Sequence, residues 1–370
     1  MSDTISNRNT RDALLNKKSL GQFFTTNYKY IMNDISIPSE VKHIIEPFAG
    51  NKDLLKILDI KYDIKCYDID PKFNDIEKKD TLLNPPNYKN KYIITNPPYL
   101  ARNKSNTKAI FDKYNQNDLY KCFIHNIIQD QPDGGIIIIP LNFWCSIRKN
   151  DIDLRKKFIK AFDIIRVNLF EERVFDDTSY AVCCIQFNKK IKENSSNHKI
   201  LNNYSDYIKF IIYPTKSICL FELNKKNNYS IGGEIYMLPQ NKNIKIDRLT
   251  KKNKDFPGIT YIKLHTIDNN VNSQIRLEIN KNRFIDNTKN LSERTFATLI
   301  IIPILNDNQQ DILVKLFNKY LNIQRKKYNS LFLTNYRESK DMPRKRISFD
   351  LVYKIINYIM QDEIFTVMSY

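Results

Sequence analysis

Lys91-Tyr92-Ile93-Ile94-Thr95-Asn96-Pro97-Pro98-Tyr99 is the stretch on which the fold turns. After Lys91, four residues of β-favouring character run into a turn stiffened by two prolines, which carries an amide and an aromatic ring. Open parallel sheets bind ligands just beyond the carboxyl ends of their strands, so polar residues directly after an apolar strand mark a candidate site. The surroundings agree. Short apolar runs at 43–48, 63–70, 135–140, 164–170 and 180–187 alternate with helical stretches at 117–130 and 151–161, the pattern of strands joined by crossover helices. Gly134-Gly135 reads as the stop of the first helix. Only residues 171–179 separate the last two strands, too few for a crossover, so these are expected to form an antiparallel hairpin at the edge of a mostly parallel α/β sheet.

The 370 residues exceed what one core usually organises, and 42% hydrophobic with 27% charged residues is ordinary globular usage. No purely apolar run, 136–139 included, is long enough to cross a bilayer, and 1–18 has no signal-like apolar core, so no membrane partner and a cytoplasmic location, in a bacterium or a virus-infected cell, are expected. Cys66, Cys122, Cys145, Cys183, Cys184 and Cys219 form no CxxC pair and have no His at ligand spacing. They read as free thiols, with no metal site. The net charge of +18 favours a polyanionic partner, although the Lys, Asn, Ile and Tyr usage also suits an A+T-rich genome. A polar stretch over 189–203 divides the chain into a flexible arm at 1–18, a domain at 19–195 and a second domain at 196–370. No fold is assigned to the second domain, which ends in the basic run Arg344-Lys345-Arg346 and an amphipathic helix at 349–360.

An amine conjugated to a ring is a poor nucleophile because its lone pair is delocalised. The Asn96 amide oxygen and the Pro97 carbonyl can accept hydrogen bonds from such an NH₂ and draw it towards tetrahedral geometry. Pro97 and Pro98 hold the acceptors rigid, and Tyr99 offers a face for an extruded base. On four residues alone a bland turn is an equal reading. Asn84-Pro85-Pro86-Asn87 is the internal control: it has the same tripeptide but neither a preceding strand nor a following aromatic. Upstream, Glu46-Pro47-Phe48-Ala49-Gly50 passes from strand to turn before a helix starting near Asp53, a layout that cradles a nucleotide-like cofactor. Asp68, about twenty residues on, sits where an acid binds ribose hydroxyls, with Asp70 as the competing choice. Asp80 suits an adenine amino group or, equally, a turn.

These segments resemble, in order, motifs X, I, II, III, IV and VIII of the gamma group of amino-methyltransferases, the TaqI-like enzymes. Gly21-Gln22-Phe23-Phe24-Thr25, Glu46 to Gly50, Asp68 to Pro71, Asp80, Asn96 to Tyr99, Gly134-Gly135 and Val174-Phe175-Asp176-Asp177 carry the resemblance. It implies a Rossmann-like class I methyltransferase fold with a seven-stranded sheet and a basic carboxyl-terminal target-recognition domain. The implied cofactor is S-adenosylmethionine, with S-adenosylhomocysteine as product, and the implied substrate is an adenine N6 amine flipped from double-stranded DNA. Phe23 and Thr25 are implied to contact the methionine part of the cofactor, Glu46, Phe48 and Gly50 its surroundings, Asp68 the ribose, and Asp80 and Phe123 the adenine. Phe175 is implied to sandwich the flipped base opposite Tyr99; the alternative is a hairpin phenylalanine that caps the core. One departure is Lys52, where motif I usually has a second glycine.

Leu20 to Thr25, Asp80 to Pro86, Asn96 to Ser105 and Glu172 to Asp177 are similar to the NlaIII-type methyltransferases. That resemblance implies a CATG site and DNA contacts from Arg344, Lys345 and Arg346. The tail has no convincing acidic cluster for metal ions, so a stand-alone methyltransferase is expected, with a separately encoded restriction endonuclease sharing the site. Asn-Pro-Pro-Tyr also serves enzymes that methylate protein glutamine or RNA amines, so those remain the enzymatic alternatives, with a catalytically silent DNA-binding relative as the third.

Overall fold

The structure is a computed structural model that describes residues 21, 23, 25–58, 61–172, 174–175, 181–191, 207–268, 273–286, 295–336 and 344–366. The expected arm at 1–18, Gln22 and Phe24 of the first motif, Asp176 and Asp177, and the heart of the expected linker lie outside the described residues. The chain divides into two compact units, one of residues 1–144 and 148–223, the other of 145–147 and 224–370.

The first unit is built on one sheet. Its strands are β1 (His43–Glu46), β2 (Asp63–Asp68), β3 (Glu77–Lys78), β4 (Tyr92–Thr95), β5 (Gly134–Pro140), β6 (Phe162–Phe170), β7 (Val182–Lys189), β8 (Tyr207–Tyr213) and β9 (Ser217–Glu222), in the order β3-β2-β1-β4-β5-β7-β6-β8-β9. The links from β3 through β5 are all parallel, and β7 runs antiparallel to both β5 and β6. The central strands read as unbroken apolar runs because both faces are covered. Every residue of β4 and β5 is buried, and each of Ile136 to Ile139, at 1% exposure or less, contributes about 1.5–3 kcal/mol by leaving water. Helices Leu119–Asp130 and Lys149–Ala161 lie close to their expected spans.

Three expectations are corrected. The sheet has nine strands rather than seven: β8 adds parallel to β6 and β9 antiparallel to β8, so the β6–β7 hairpin lies inside the sheet rather than at its edge. The compact unit therefore runs to Leu223, and two strands expected in the second domain belong to this sheet. Their anchor is aromatic: Phe210 of β8, fully buried, meets Trp144 edge-on with ring centroids 5.7 Å apart. Gly134-Gly135 does not stop a helix. The helix ends at Asp130, with Gln131 at φ 52°, and the glycines open β5. A Cβ on Gly134 would lie 2.7 Å from the Phe187 carbonyl oxygen, and one on Gly135 2.7 Å from that of Ile93, so close strand approach explains them. All six cysteines are free, four of them buried.

The second unit has a four-stranded antiparallel sheet in the order β10 (Lys245–Arg248), β13 (Phe296–Ile302), β11 (Ile259–His265), β12 (Arg276–Ile279), and a short hairpin of β14 (Thr334–Tyr336) and β15 (Arg344–Arg346). The 22-residue helix Asp307–Tyr328 starts with a reciprocal cap: the Asn306 side chain accepts from Gln309 N (2.9 Å) and the Gln309 side chain accepts from Asn306 N (3.1 Å). Its Asn318 amide donates to the Leu277 carbonyl (2.8 Å) and accepts from Leu277 N (2.9 Å). The edge strand β12 is thereby closed by a side chain. The helix Phe349–Ile359 lies within the expected 349–360. Among the described residues, no helix is long and apolar enough to cross a membrane.

Candidate active site

The turn after β4 is held from three sides. The Asn96 side-chain nitrogen donates to the Phe23 carbonyl and to Thr25 Oγ1, both at 3.0 Å. Its Oδ1 accepts from the Tyr99 hydroxyl, which also donates to the Ile138 carbonyl of β5 at 2.6 Å. Burial pushes the Tyr99 phenol far above its ordinary value, so it stays protonated and remains a donor. Gly21 stacks its backbone on the turn. Its carbonyl accepts from Tyr99 N at 2.9 Å, its φ is +70°, and a Cβ there would lie 2.7 Å from the Tyr99 carbonyl oxygen. On the far side, Leu100 and Arg102 bond to Leu119 N and the Asn117 carbonyl at 3.2 and 2.9 Å. That pairing is anchored by buried Lys121, which donates to Asn117 Oδ1 (2.8 Å) and to Asp151 Oδ1 (2.6 Å). Sequence patterns gave no hint of Ile138, Lys121 or Asp151, since two opposite charges thirty residues apart carry no local signal of pairing.

The tips of β1 and β2 form the adjoining cleft. Phe23, Thr25, Glu46, Phe48, Gly50 and Asn96 all line it, bringing together residues from three separate motifs. Glu46 is 2% exposed, and its Oε1 accepts from the Thr95 hydroxyl and from Phe48 N (3.2 Å). Burial raises this carboxyl to about 8, against the opposing pull of those bonds, with the Asp68 charge adding a smaller push upward. Asp68 accepts from Gly50 N at 2.8 Å and Asp70 N at 2.9 Å, which fixes the turn that follows β1. The buried carboxyl of Glu46, the buried Asp68 behind the turn, a positive φ at Gly50 and the rings of Phe23 and Phe48 suit a nucleoside-bearing cofactor. Lys52 does adopt the left-handed conformation, φ 58°, and its side chain pairs with Asp75 and lies 5.9 Å from the Phe73 ring centroid; it is not among the residues lining the cleft. The helix expected to start near Asp53 is a short 3₁₀ turn, Asp53–Ile57.

Other expected site residues are further back. Phe123 is wholly buried behind Phe48, edge-on at 5.3 Å. Asp80 Oδ1 accepts from Leu82 N and Leu83 N, both at 3.0 Å, the bonding of a turn aspartate. Tyr99 and Phe175 are 2% and 1% exposed, so neither ring offers the open face on which a base stacks. Phe23 stacks on Tyr99 at 5.6 Å and Tyr120 meets it edge-on at 6.1 Å, and stacking a base there requires side chains to move. Lys345 and Arg346 are in β15, where the Lys345 carbonyl accepts from Asp268 N at 3.0 Å. A hollow of about 860 Å³ lies at the opposite, amino-terminal ends of β1 and β4, bordered by Lys42, Asn90 and Lys160, far from the turn after β4. Among the described residues no group of acids, His and Cys could hold a metal ion.

No curated protein matches the chain in sequence. Among solved structures it resembles a Vibrio vulnificus protein described as a type I restriction enzyme modification subunit (13% identity, 76% of this chain and 63% of that one, TM-score 0.40). It also resembles the M protein of the type I restriction enzyme EcoKI (15%, 65% and 62%, TM-score 0.37) and the type IIG restriction endonuclease BpuSI (11%, 86% and 46%, TM-score 0.38). The chain spans less than two thirds of each of these, and the α/β assignment rests on its own strand order. Residues 7–175, the stretch that carries Gly21, Glu46, Asp68, Asn96 and Phe175, match the family model described as Eco57I restriction-modification methylase.

Proposed function

We propose that this chain transfers the methyl group of S-adenosylmethionine to the N6 amine of an adenine flipped out of duplex DNA. The site is a short one of the CATG kind, and the chain serves as the modification partner of a separately encoded endonuclease. The observation that carries this reading is the clamp on Asn96. With the Phe23 carbonyl, which can only accept, against its nitrogen, the amide cannot turn over without setting its oxygen against that carbonyl, so Oδ1 is fixed as the acceptor on the other side. The Asn96 oxygen and the Pro97 carbonyl then accept from the target NH₂, localise its lone pair and offset the positive charge that develops on nitrogen. The Tyr99 hydroxyl holds the same Oδ1, and its ring receives the base once Phe23 has moved aside.

S-adenosylmethionine, when bound, supplies a methyl group activated by a sulfonium. Asp68 offers it buried negative charge, Glu46 a buried carboxyl, Phe48 an apolar wall, and Thr25 ties the cofactor side of the cleft to Asn96. No thiol nucleophile takes part: burial raises Cys66 to about 11 and Cys122 to about 12, leaving them protonated at neutral pH. Transfer is direct, by positioning and electrostatics. The basic residues of the second half, Arg344, Lys345 and Arg346 among them, hold the phosphate backbone.

Tritiated cofactor offered to adenine-containing duplexes, RNA and glutamine peptides tests the reading. Label is expected in duplex DNA alone, at adenine. Label in RNA or peptide with none in duplex would overturn the substrate, and the absence of both label and calorimetric cofactor binding would mark a silent relative.

A further inference from the structure

The two units share the basic charge unequally: residues 224–370 hold 25 Lys and Arg against 14 Asp and Glu, +11 of the total +18. Within that unit, the long helix Asp307–Tyr328 lies over one face of the four-stranded sheet, where Ile262, Leu264, Leu277 and Ala297 are buried. Register puts the alternate residues on the other face in two cross-strand rows, Arg276–His265–Phe296 and Glu278–Lys263–Thr298. The chain from Lys281 to Asp286 crosses one end of this face, its Phe284 N donating to Thr298 Oγ1 at 2.8 Å. The rest is only half-buried.

Its chemistry is one-sided. Glu278, the acid of the two rows, is held by His265 at 2.9 Å and Arg276 at 2.8 Å. Lys263 and Arg283 have no acidic partner among the described residues. Each lies instead over a ring, Lys263 at 4.9 Å from the Phe296 centroid and Arg283 at 4.6 Å from that of Tyr261. A cation resting on an aromatic face keeps its charge, sheds part of its water and is held in place, which lowers what it loses on meeting a phosphate. Phe284, edge-on to Phe296 at 4.7 Å, stiffens that support.

We infer that this sheet face is a phosphate-gripping surface for duplex DNA, with Lys263 and Arg283 as the contacting cations and Glu278 as an internal brake on Arg276 and His265. The inference rests on the proposed DNA substrate and names the part of the second unit that holds it. Duplex affinity measured by fluorescence anisotropy across a salt series tests it. Substituting Lys263→Gln with Arg283→Gln is expected to weaken binding about tenfold near 0.1 M salt and to flatten the slope of log affinity on log salt by about 1.8, about 0.9 for each phosphate left without its cation. Glu278→Gln is expected to tighten binding several-fold, a gain that misfolding cannot produce. Lys315→Gln with Lys319→Gln, on the exposed side of the covering helix, is expected to leave the slope unchanged. Wild-type binding with an unchanged slope in the first pair, or an equal fall in the helix pair, would overturn the inference alone. Wild-type protein that binds no duplex would instead overturn the proposed substrate.

Discussion

Asn84-Pro85-Pro86 and Asn96-Pro97-Pro98 are the same tripeptide twelve residues apart in one chain, and they end up in different physical situations. Asn84 follows a turn whose backbone folds onto Asp80; its N–H donates to the Asp80 carbonyl at 2.9 Å and its side chain is exposed. Asn87, in the place of Tyr99, uses its side chain to accept from Lys89 N at 3.0 Å, a purely local bond. Asn96 instead leaves a wholly buried strand and meets partners 71 and 73 residues away in sequence. The difference teaches that Asn-Pro-Pro is only a rigid carrier of an amide. What makes it a candidate reaction centre is a strand end that aims it and a second segment that fixes which way the amide points.

Exchanging the two asparagines for alanine is the sharpest way to break this comparison. Asn96→Ala should lower the turnover of duplex methylation by about 10²–10³-fold, the usual cost of one oriented stabilising group, while Asn84→Ala should stay within about twofold. Comparable losses in the two would show that the clamp on Asn96 is irrelevant to chemistry.

The strand end can be probed through pH. Thr95, one residue before Asn96, donates to Glu46, and nothing equivalent precedes Asn84. Because burial raises Glu46 to about 8 from an ordinary value near 4.5, the folded chain holds a proton there that the unfolded chain releases. Stability carried by that proton is present below about 4.5 and is lost as pH rises through about 8. Glu46→Gln should therefore remove a pH-dependent loss on the order of 2–3 kcal/mol between pH 5 and 8. Denaturant melts of both proteins across that range measure it, and parallel curves would refute the burial argument.

A smaller effect is expected from Tyr99→Phe, which deletes the hydroxyl bonds to Asn96 Oδ1 and to the Ile138 carbonyl while keeping the ring. About 1–2 kcal/mol of stability and about tenfold in turnover should go together. A variant that lost stability with full turnover would reduce the hydroxyl to a packing device. Smallest of all, Lys52→Gly should relieve the φ of 58° and leave calorimetric cofactor affinity within about threefold, because the lysine side chain pairs with Asp75. The gain on the folded side is at most about 1 kcal/mol, offset by the extra freedom of glycine in the unfolded chain. Cofactor binding that improved tenfold would show that Lys52 does crowd the cleft.

Much of the first unit was legible because its signals are local. Apolar runs such as 91–95 and 135–140 are buried strands since a sheet covered on both faces demands unbroken hydrophobicity, and helix 117–130 declared itself by its spacing. Glu46, Asp68 and Asn96 could be singled out because each ends a strand on the same edge. The second unit was unreadable in outline for the opposite reason: β10 to β13 are short and their pairing is set by contacts across dozens of residues.

The sequence by itself determined the strand-and-helix alternation, the chemical types at the strand ends and the basic balance of the second half. These are properties of neighbouring residues and of composition. Tertiary structure alone decided that β8 and β9 extend the sheet, that Gly134 and Gly135 serve strand packing, and that Tyr99 and Phe175 are enclosed rather than presented. It alone brought Phe23 and Thr25 against Asn96, and set Lys263 and Arg283 over aromatic rings. Each of those outcomes joins segments distant in sequence, chosen by how buried surface and paired polar groups can be satisfied together, and no local pattern encodes that choice.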